Sequence, residues 1–162
     1  MTEQSNPITQ SHPPRALLRL VVNPVLSVLL RTPFTGARLD QFMVVDFTGR
    51  KSGRPYSLVL SAHLIDGNLY ALSGATWKAN FRGGAPAQVL HGGKTTAMRG
   101  ELITDKAYVA DLYARCAESY GVRRAERVMG IGFRGHQMPT HDQFAEAVEQ
   151  LGLRAIRFTP AP

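Results

Sequence analysis

The stretch Asp46-Phe47-Thr48-Gly49-Arg50-Lys51-Ser52-Gly53-Arg54-Pro55 lies between two runs that read as strands. Upstream, residues 42–47 are short, apolar and rich in β-formers. Downstream, Tyr56, Leu58, Leu60, Ala62 and Leu64 alternate with Ser57, Val59, Ser61 and His63. That period of two is the signature of a half-buried strand. Between the runs the chain must reverse within a few residues, and Gly49 and Gly53 allow positive φ there. The stretch therefore reads as the tip of a β-hairpin, with Arg50, Lys51 and Arg54 beside backbone N–H groups and the Ser52 hydroxyl. Such a tip can hold a phosphate or a carboxylate. As plain surface, the same cations would only keep a sheet edge wet.

Working outward, Asp66-Gly67 is a two-residue hairpin signal, and residues 68–72 form the return strand. Residues 73–84 (Ser-Gly-Ala-Thr-Trp-Lys-Ala-Asn-Phe-Arg-Gly-Gly) predict a helical turn or two around Trp77 and Asn80 with a Gly-Gly stop. Residues 87–91 and 95–103 pair as a further hairpin around Gly92-Gly93. Thr104 or Asp105 then caps a helix whose apolar face is Val109, Leu112, Tyr113, Cys116 and Tyr120, ended by Gly121. Arg123, Arg124 and Arg127 fall on a helical turn, followed by a glycine-rich loop through Gly130, Gly132 and Gly135. A last helix starts at Thr140, where Gln143 completes a capping box, and buries Phe144, Val148 and Leu151. Gly152 stops it, and residues 153–158 close the chain as a strand. About six strands joined mainly by hairpins, with helices at the ends, predict an α+β fold. Its antiparallel sheet is expected to roll into a small barrel.

Residues 15–30 are apolar, but Arg19 and Asn23-Pro24 interrupt them. They are also too short for a bilayer span, which needs roughly 20 residues. Asn23 as N-cap with Pro24 at the first helical position predicts two short helices. These either cover the sheet or, with Arg15, Arg19 and Arg31, lie on a membrane surface. The first fourteen residues are polar and proline-containing, without the pattern of a signal peptide, and read as a disordered tail. Residues 15–162 read as one domain, in keeping with a chain of 162 residues.

The formal net charge of +7 favours an anionic partner. The cations sit on turns and helices rather than among exposed strand aromatics, which argues against nucleic acid. One cysteine, Cys116, excludes an internal disulfide framework and fits a reducing, cytoplasmic compartment. The histidines are scattered without ligand spacing, so no metal is expected. Neither a nucleophile elbow nor a Walker or dinucleotide glycine pattern is present. What remains is a binding site between the basic hairpin and residues 73–84. Trp77 there either stacks on a flat ring or packs in the core, and Asn80 either caps the turn at 82–84 or touches ligand.

The pattern Thr-Gly-Arg-Lys-Ser-Gly-Arg-Pro (48–55), then Asp-Gly, then Trp-x-x-Asn-Phe-Arg-Gly-Gly-Ala-Pro (77–86) resembles the deazaflavin-dependent nitroreductase family. That family belongs to the flavin/deazaflavin oxidoreductases of the split β-barrel fold, known mostly from actinobacteria, and the resemblance covers about residues 34–104. It implies an FMN-binding split-barrel-like fold and a bound 8-hydroxy-5-deazaflavin coenzyme (coenzyme F-420). The acidic tail would lie on Arg50, Lys51, Ser52, Gly53, Arg54 and Pro55. The ring would lie near Ser57, Ser73, Gly74 and Trp77, supported by Asn80 and Arg82. The implied activity is hydride transfer to an electron-poor quinone, enone or nitro compound. This chain departs from the family at Tyr56, where many members carry arginine, at Val59, and at Ser73-Gly74-Ala75-Thr76. These departures leave open a split barrel that binds FMN or haem, or one that sequesters a cofactor without turnover; residues 15–31 would be what brings it to the inner membrane face.

Overall fold

The computed structural model describes residues 6–10, 41–129 and 131–162. The expected helices within 15–31, and the membrane anchor with them, lie outside the described residues. The described chain forms two compact units.

The first unit comprises residues 41–71, 77–102 and 156–162 and carries a β-barrel. In chain order the strands are β2 (Phe42–Thr48), β3 (Pro55–Ser61), β4 (His63–Ile65), β5 (Asn68–Ser73), β6 (Ala85–His91), β7 (Lys94–Ile103) and β9 (Arg154–Pro160). They form one sheet in the order β3-β2-β6-β7-β9-β5-β4. The order begins on β3 and ends on β4, which are consecutive halves of one chain segment separated by Ala62 alone. A sheet whose two ends are the same stretch of chain is closed on itself, with the split where that segment changes partner. The hairpin pairings are antiparallel, with Asp46 opposite Ser57 on β3 and opposite Gln88 on β6. This is the α+β, antiparallel split-barrel architecture expected from the hairpin pattern.

The partner change corrects one detail of that pattern. Strict alternation would put Leu64 on the same apolar face as Leu60 and Ala62. Instead Ala62 and His63 are both buried in succession and Leu64 is 65% exposed. One extra residue has shifted the phase, as in a β-bulge. Ala62 N–H donates to the Gln41 carbonyl at 2.8 Å at this point. His63 consequently turns inward, and burial lowers its pKa from 6.5 to about 4.

Inside the barrel, Met43, Val45, Phe47, Ala71, Phe81, Ala87, Val89, Ile156 and Phe158 make one apolar cluster. Gly100 on β7 faces that cluster: an added Cβ would stand 2.6 Å from Phe81 Cδ1 and 2.9 Å from Phe158 Cε1. Val44, on the other face of β2, packs with Leu90, Phe42 and Val59.

The second unit comprises residues 6–10, 72–76 and 103–155 and is mainly helical. Its elements are β1 (Ile8–Gln10), α1 (Lys106–Tyr120), α2 (Val122–Val128), β8 (Ile131–Phe133) and α3 (His141–Leu151). Asp105 is the N-cap of α1, its carboxylate accepting from Tyr108 N–H, and Gly121 ends the helix at φ 77. Thr140 and Gln143 form the expected capping box of α3, which stops at the left-handed Gly152. Cys116 is buried on α1, and desolvation pushes its thiol up to about 12. It packs as a small apolar group rather than serving as a nucleophile.

Two expectations fail in this unit. Residues 8–10 are not part of a disordered tail: β1 pairs antiparallel with β8, Ile8 opposite Phe133, and Ile8 is 3% exposed. Residues 131–133 are not merely loop, because the same pairing makes them a strand. Ile131 and Phe133 are buried, and Phe133 meets Phe144 of α3 edge-on at 6.0 Å.

Candidate binding groove at the basic hairpin

The hairpin tip is a closed, self-satisfied turn. Gly49 N–H donates to the Arg54 carbonyl at 2.8 Å and Gly53 N–H to the Gly49 carbonyl at 2.9 Å. Gly53 supplies the positive φ, +66°, that the reversal demands. The Ser52 hydroxyl accepts from Arg54 N–H at 3.2 Å and lies 3.4 Å from the Tyr56 hydroxyl. Ser52 is thus occupied in holding the turn. The backbone N–H groups of 49, 53 and 54 are spent inside it, and that of Arg50 on Asn80.

Asn80 ties the hairpin to the 3-10 helix Thr76–Phe81. Its side-chain carbonyl accepts from Arg50 N–H at 2.9 Å, and its amide donates to the Trp77 carbonyl at 2.8 Å. Arg50 is braced further by a 3.4 Å contact with the Gly84 carbonyl. Arg99 donates to the Gly83 carbonyl at 2.7 Å and lies where a Cβ on Gly84 would be, so the Gly83-Gly84 turn is clasped by β7. Lys51, Arg54 and Arg82 are exposed and make no ion pair among the described residues.

Beside the tip runs a groove of about 620 Å³, lined by residues 46–50, Gly53, Asn80 and residues 84–88. One wall is the β2 end and the hairpin; the other is the start of β6. The pairing of Asp46 with Gln88 brings the walls together. Of the residues expected to bind a cofactor, Arg50, Gly53 and Asn80 line this groove. Lys51, Ser52, Arg54 and Pro55 are exposed at the tip beside it, and Ser57 is exposed on β3.

The expected ring-binding residues are not all brought to it. Trp77 sits on the barrel core, 6.4 Å from Phe47 and edge-on to Phe81 at 6.2 Å. It is half-buried there, packed against the core cluster. Ser73 and Gly74 belong to the second unit. Ser73 Oγ accepts from Ala75 N–H at 3.0 Å. A Cβ on Gly74 would collide with the Gln10 side chain and stand 3.3 Å from the Leu151 carbonyl, so this glycine serves close packing there.

Tyr56, noted in the sequence as a departure from the family pattern, and Asp46, which the sequence did not single out, stand beside the site. Tyr56 is 43% exposed and stacks on Phe47, ring centroids 5.5 Å apart at 19°. Its neighbour Gly49 is tight, since a Cβ there would lie 2.6 Å from both Ser52 Oγ and Tyr56 Cε2. Asp46 puts a half-buried carboxylate on the groove wall beside Arg50. The pairing of β2 with both β3 and β6 is the signal that would have found it. Among the described residues, no group of three or more His, Cys, Asp or Glu is placed to hold a metal, and no helix is long and apolar enough to cross a membrane.

No family model matches the chain, and no curated protein matches it. Solved structures with a similar chain trace include a pyridoxamine 5'-phosphate oxidase-like protein from Listeria innocua. It is 11% identical with a TM-score of 0.45, covering 87% of this chain and 94% of its own. The haem storage protein HutZ from Vibrio cholerae is 10% identical at TM-score 0.45, covering 86% and 89%. A conserved hypothetical protein from Mycobacterium tuberculosis is 13% identical at TM-score 0.44, covering 99% and 87%. The barrel assignment made above rests on the strand order of this chain.

Proposed function

We propose that this chain is a split-barrel protein that binds a flat redox cofactor of the flavin type, FMN or a deazaflavin, by its anionic tail. The observation that carries the reading is the hairpin tip: the side chains of Lys51 and Arg54 are exposed and make no ion pair among the described residues, beside a braced Arg50 at the mouth of a groove. Cations already neutralised by carboxylates would have nothing to offer a phosphate; these have. The groove wall adds the Asp46 carboxylate, an acceptor for a ring N–H, and the apolar Phe47. The tail end of such a cofactor therefore fits the residues present. Gly74 packs against Gln10, the Ser73 hydroxyl holds the Ala75 N–H and Trp77 is half-buried on the core, so the ring is assigned to the groove wall and to Tyr56 instead.

When bound, such a cofactor supplies hydride to an electron-poor acceptor such as a quinone, enone or nitro compound, and the chain would then act as an oxidoreductase. The protein's part is to hold the tail, orient the ring and exclude water from it. The resemblance of residues 48–55 and 77–86 to deazaflavin-dependent nitroreductases favours the deazaflavin within this class.

The test is a fluorescence titration of the protein with oxidised deazaflavin coenzyme and, separately, with FMN. Lys51→Ala combined with Arg54→Ala should weaken binding at least about tenfold, since each charge-assisted bond contributes roughly 1.5–3 kcal/mol. Both side chains are exposed, so the circular dichroism spectrum should be unchanged. Unaltered affinity in the double variant would remove the hairpin from the site. Failure of both cofactors to bind would end the oxidoreductase reading.

A further inference from the structure

The second unit has a groove of its own, about 640 Å³, lined by Arg123, Glu126, Arg127, Ile131, Gly132 and His136. Arg123 and Arg127 stand one turn apart on α2, so their side chains leave the same face of the helix. Both are exposed, and neither has a partner among the described residues. The opposite face of α2 is anchored by Ala125, which is fully buried.

Glu126, between Arg123 and Arg127 in sequence, has its carboxylate committed elsewhere. Only 20% exposed, it accepts from Phe133 N–H at 3.2 Å and places both oxygens 3.1 Å from His136 Nδ1. With Nδ1 held in this way, Nε2 is the ring nitrogen not engaged by Glu126, on a side chain 81% exposed that lines the groove. His136 also has φ 51, directly after Gly135 at φ 68. A non-glycine residue persists in the left-handed region only where its surroundings over-determine it, and such positions gather at functional sites. Ile131 supplies a buried apolar floor. Gly132 leaves bare backbone there, closely packed against Thr9, whose Oγ1 would stand 2.9 Å from an added Cβ.

We infer that this groove binds the phosphate group of a small phosphomonoester through Arg123, Arg127 and His136. Three separate polar groups line one groove, and a phosphomonoester offers three non-bridging oxygens where a carboxylate offers two. Nε2 donates to such an oxygen when the ring is protonated and accepts from a phosphate O–H when it is neutral. The inference stands on residues of the second unit alone and does not depend on the cofactor reading at the hairpin.

The experiment is a titration of the full chain with phenyl phosphate, followed by amide and imidazole NMR signals, with succinate in parallel. Saturable shifts at residues 123–136 and at the His136 ring are expected, independent of any shifts at the hairpin, with succinate binding more weakly at these residues. Arg123→Ala and Arg127→Ala should each weaken phenyl phosphate at least about tenfold. Lys51→Ala combined with Arg54→Ala should leave the titration curve of residues 123–136 unchanged. The inference is overturned if no saturable shift occurs at these residues, or if succinate binds as tightly as phenyl phosphate. Loss of binding in the hairpin variant with retention in the two arginine variants would overturn it as well.

Discussion

Gly100 and His63 show how little slack the barrel interior allows at single residues. Any side chain at 100 enters the rings of Phe81 and Phe158, which are buried and in contact with each other at 5.8 Å. Gly100→Ala should therefore destabilise the protein by about 1–3 kcal/mol through overpacking, read as a lower urea midpoint. His63 makes the complementary point about charge. Burial depresses its folded pKa from 6.5 to about 4, so between those values the unfolded chain binds the proton and the native one does not. Stability should fall as pH drops from 6.5 towards 4 and level off below, by up to about 3 kcal/mol for this group alone. His63→Gln should flatten that part of the stability–pH curve, whereas an unchanged slope would assign it to other groups. Neither effect was legible in the sequence, where Gly100 is one glycine among many and His63 falls on the polar phase of an alternating strand. Only the extra residue at Ala62 turns the imidazole inward.

Among the elements, those with local chemistry of their own were legible. The capping box of α3 is written in Thr140 and Gln143, and both of its hydrogen bonds form, at 3.2 Å and 2.9 Å. Thr140→Ala should cost about 1 kcal/mol of stability, and Gln143→Ala less, measured by urea unfolding. A cost near zero would mean that packing of Phe144, Ala147 and Val148 alone holds the helix start. The hairpins at 49–53 and 66–67 were equally readable, because glycines mark their reversals. The strands β1 and β8 were not, for a physical reason. Each is three residues long, too short to show a period, and each is a strand only because the other, more than a hundred positions away, supplies its hydrogen bonds. The candidate site divides along the same line. Its basic tip is contiguous in sequence and can be read there, whereas the Asp46–Gln88 wall depends on a non-local pairing that the sequence does not display. Trp77 and Gly74 entered the expected site through the family resemblance, and their surroundings, the ring of Phe81 and the side chain of Gln10, come from distant parts of the chain that the motif does not reveal.

At the scale of the whole molecule, the formal charge of +7 sets the field through which any anionic ligand approaches. Two kinds of grip would respond to salt in opposite ways. Lys51 and Arg54 are exposed, so ions screen them, over a Debye length of roughly 10 Å at 0.1 M and 3 Å at 1 M. Contacts with Phe47 and Tyr56 are apolar and are not weakened by added sodium chloride. If the tail carries the affinity, cofactor binding should weaken severalfold between low and high salt, mainly through slower association. The Lys51→Ala, Arg54→Ala variant should lose most of that dependence along with its affinity. A wild-type affinity that stays flat across the same range would place the binding energy on the groove wall, with the hairpin reduced to a solvated edge. Because the variant and the salt series act on the same two side chains, agreement between them separates a specific grip from the attraction of a generally basic protein, which salt would weaken in wild type and variant alike.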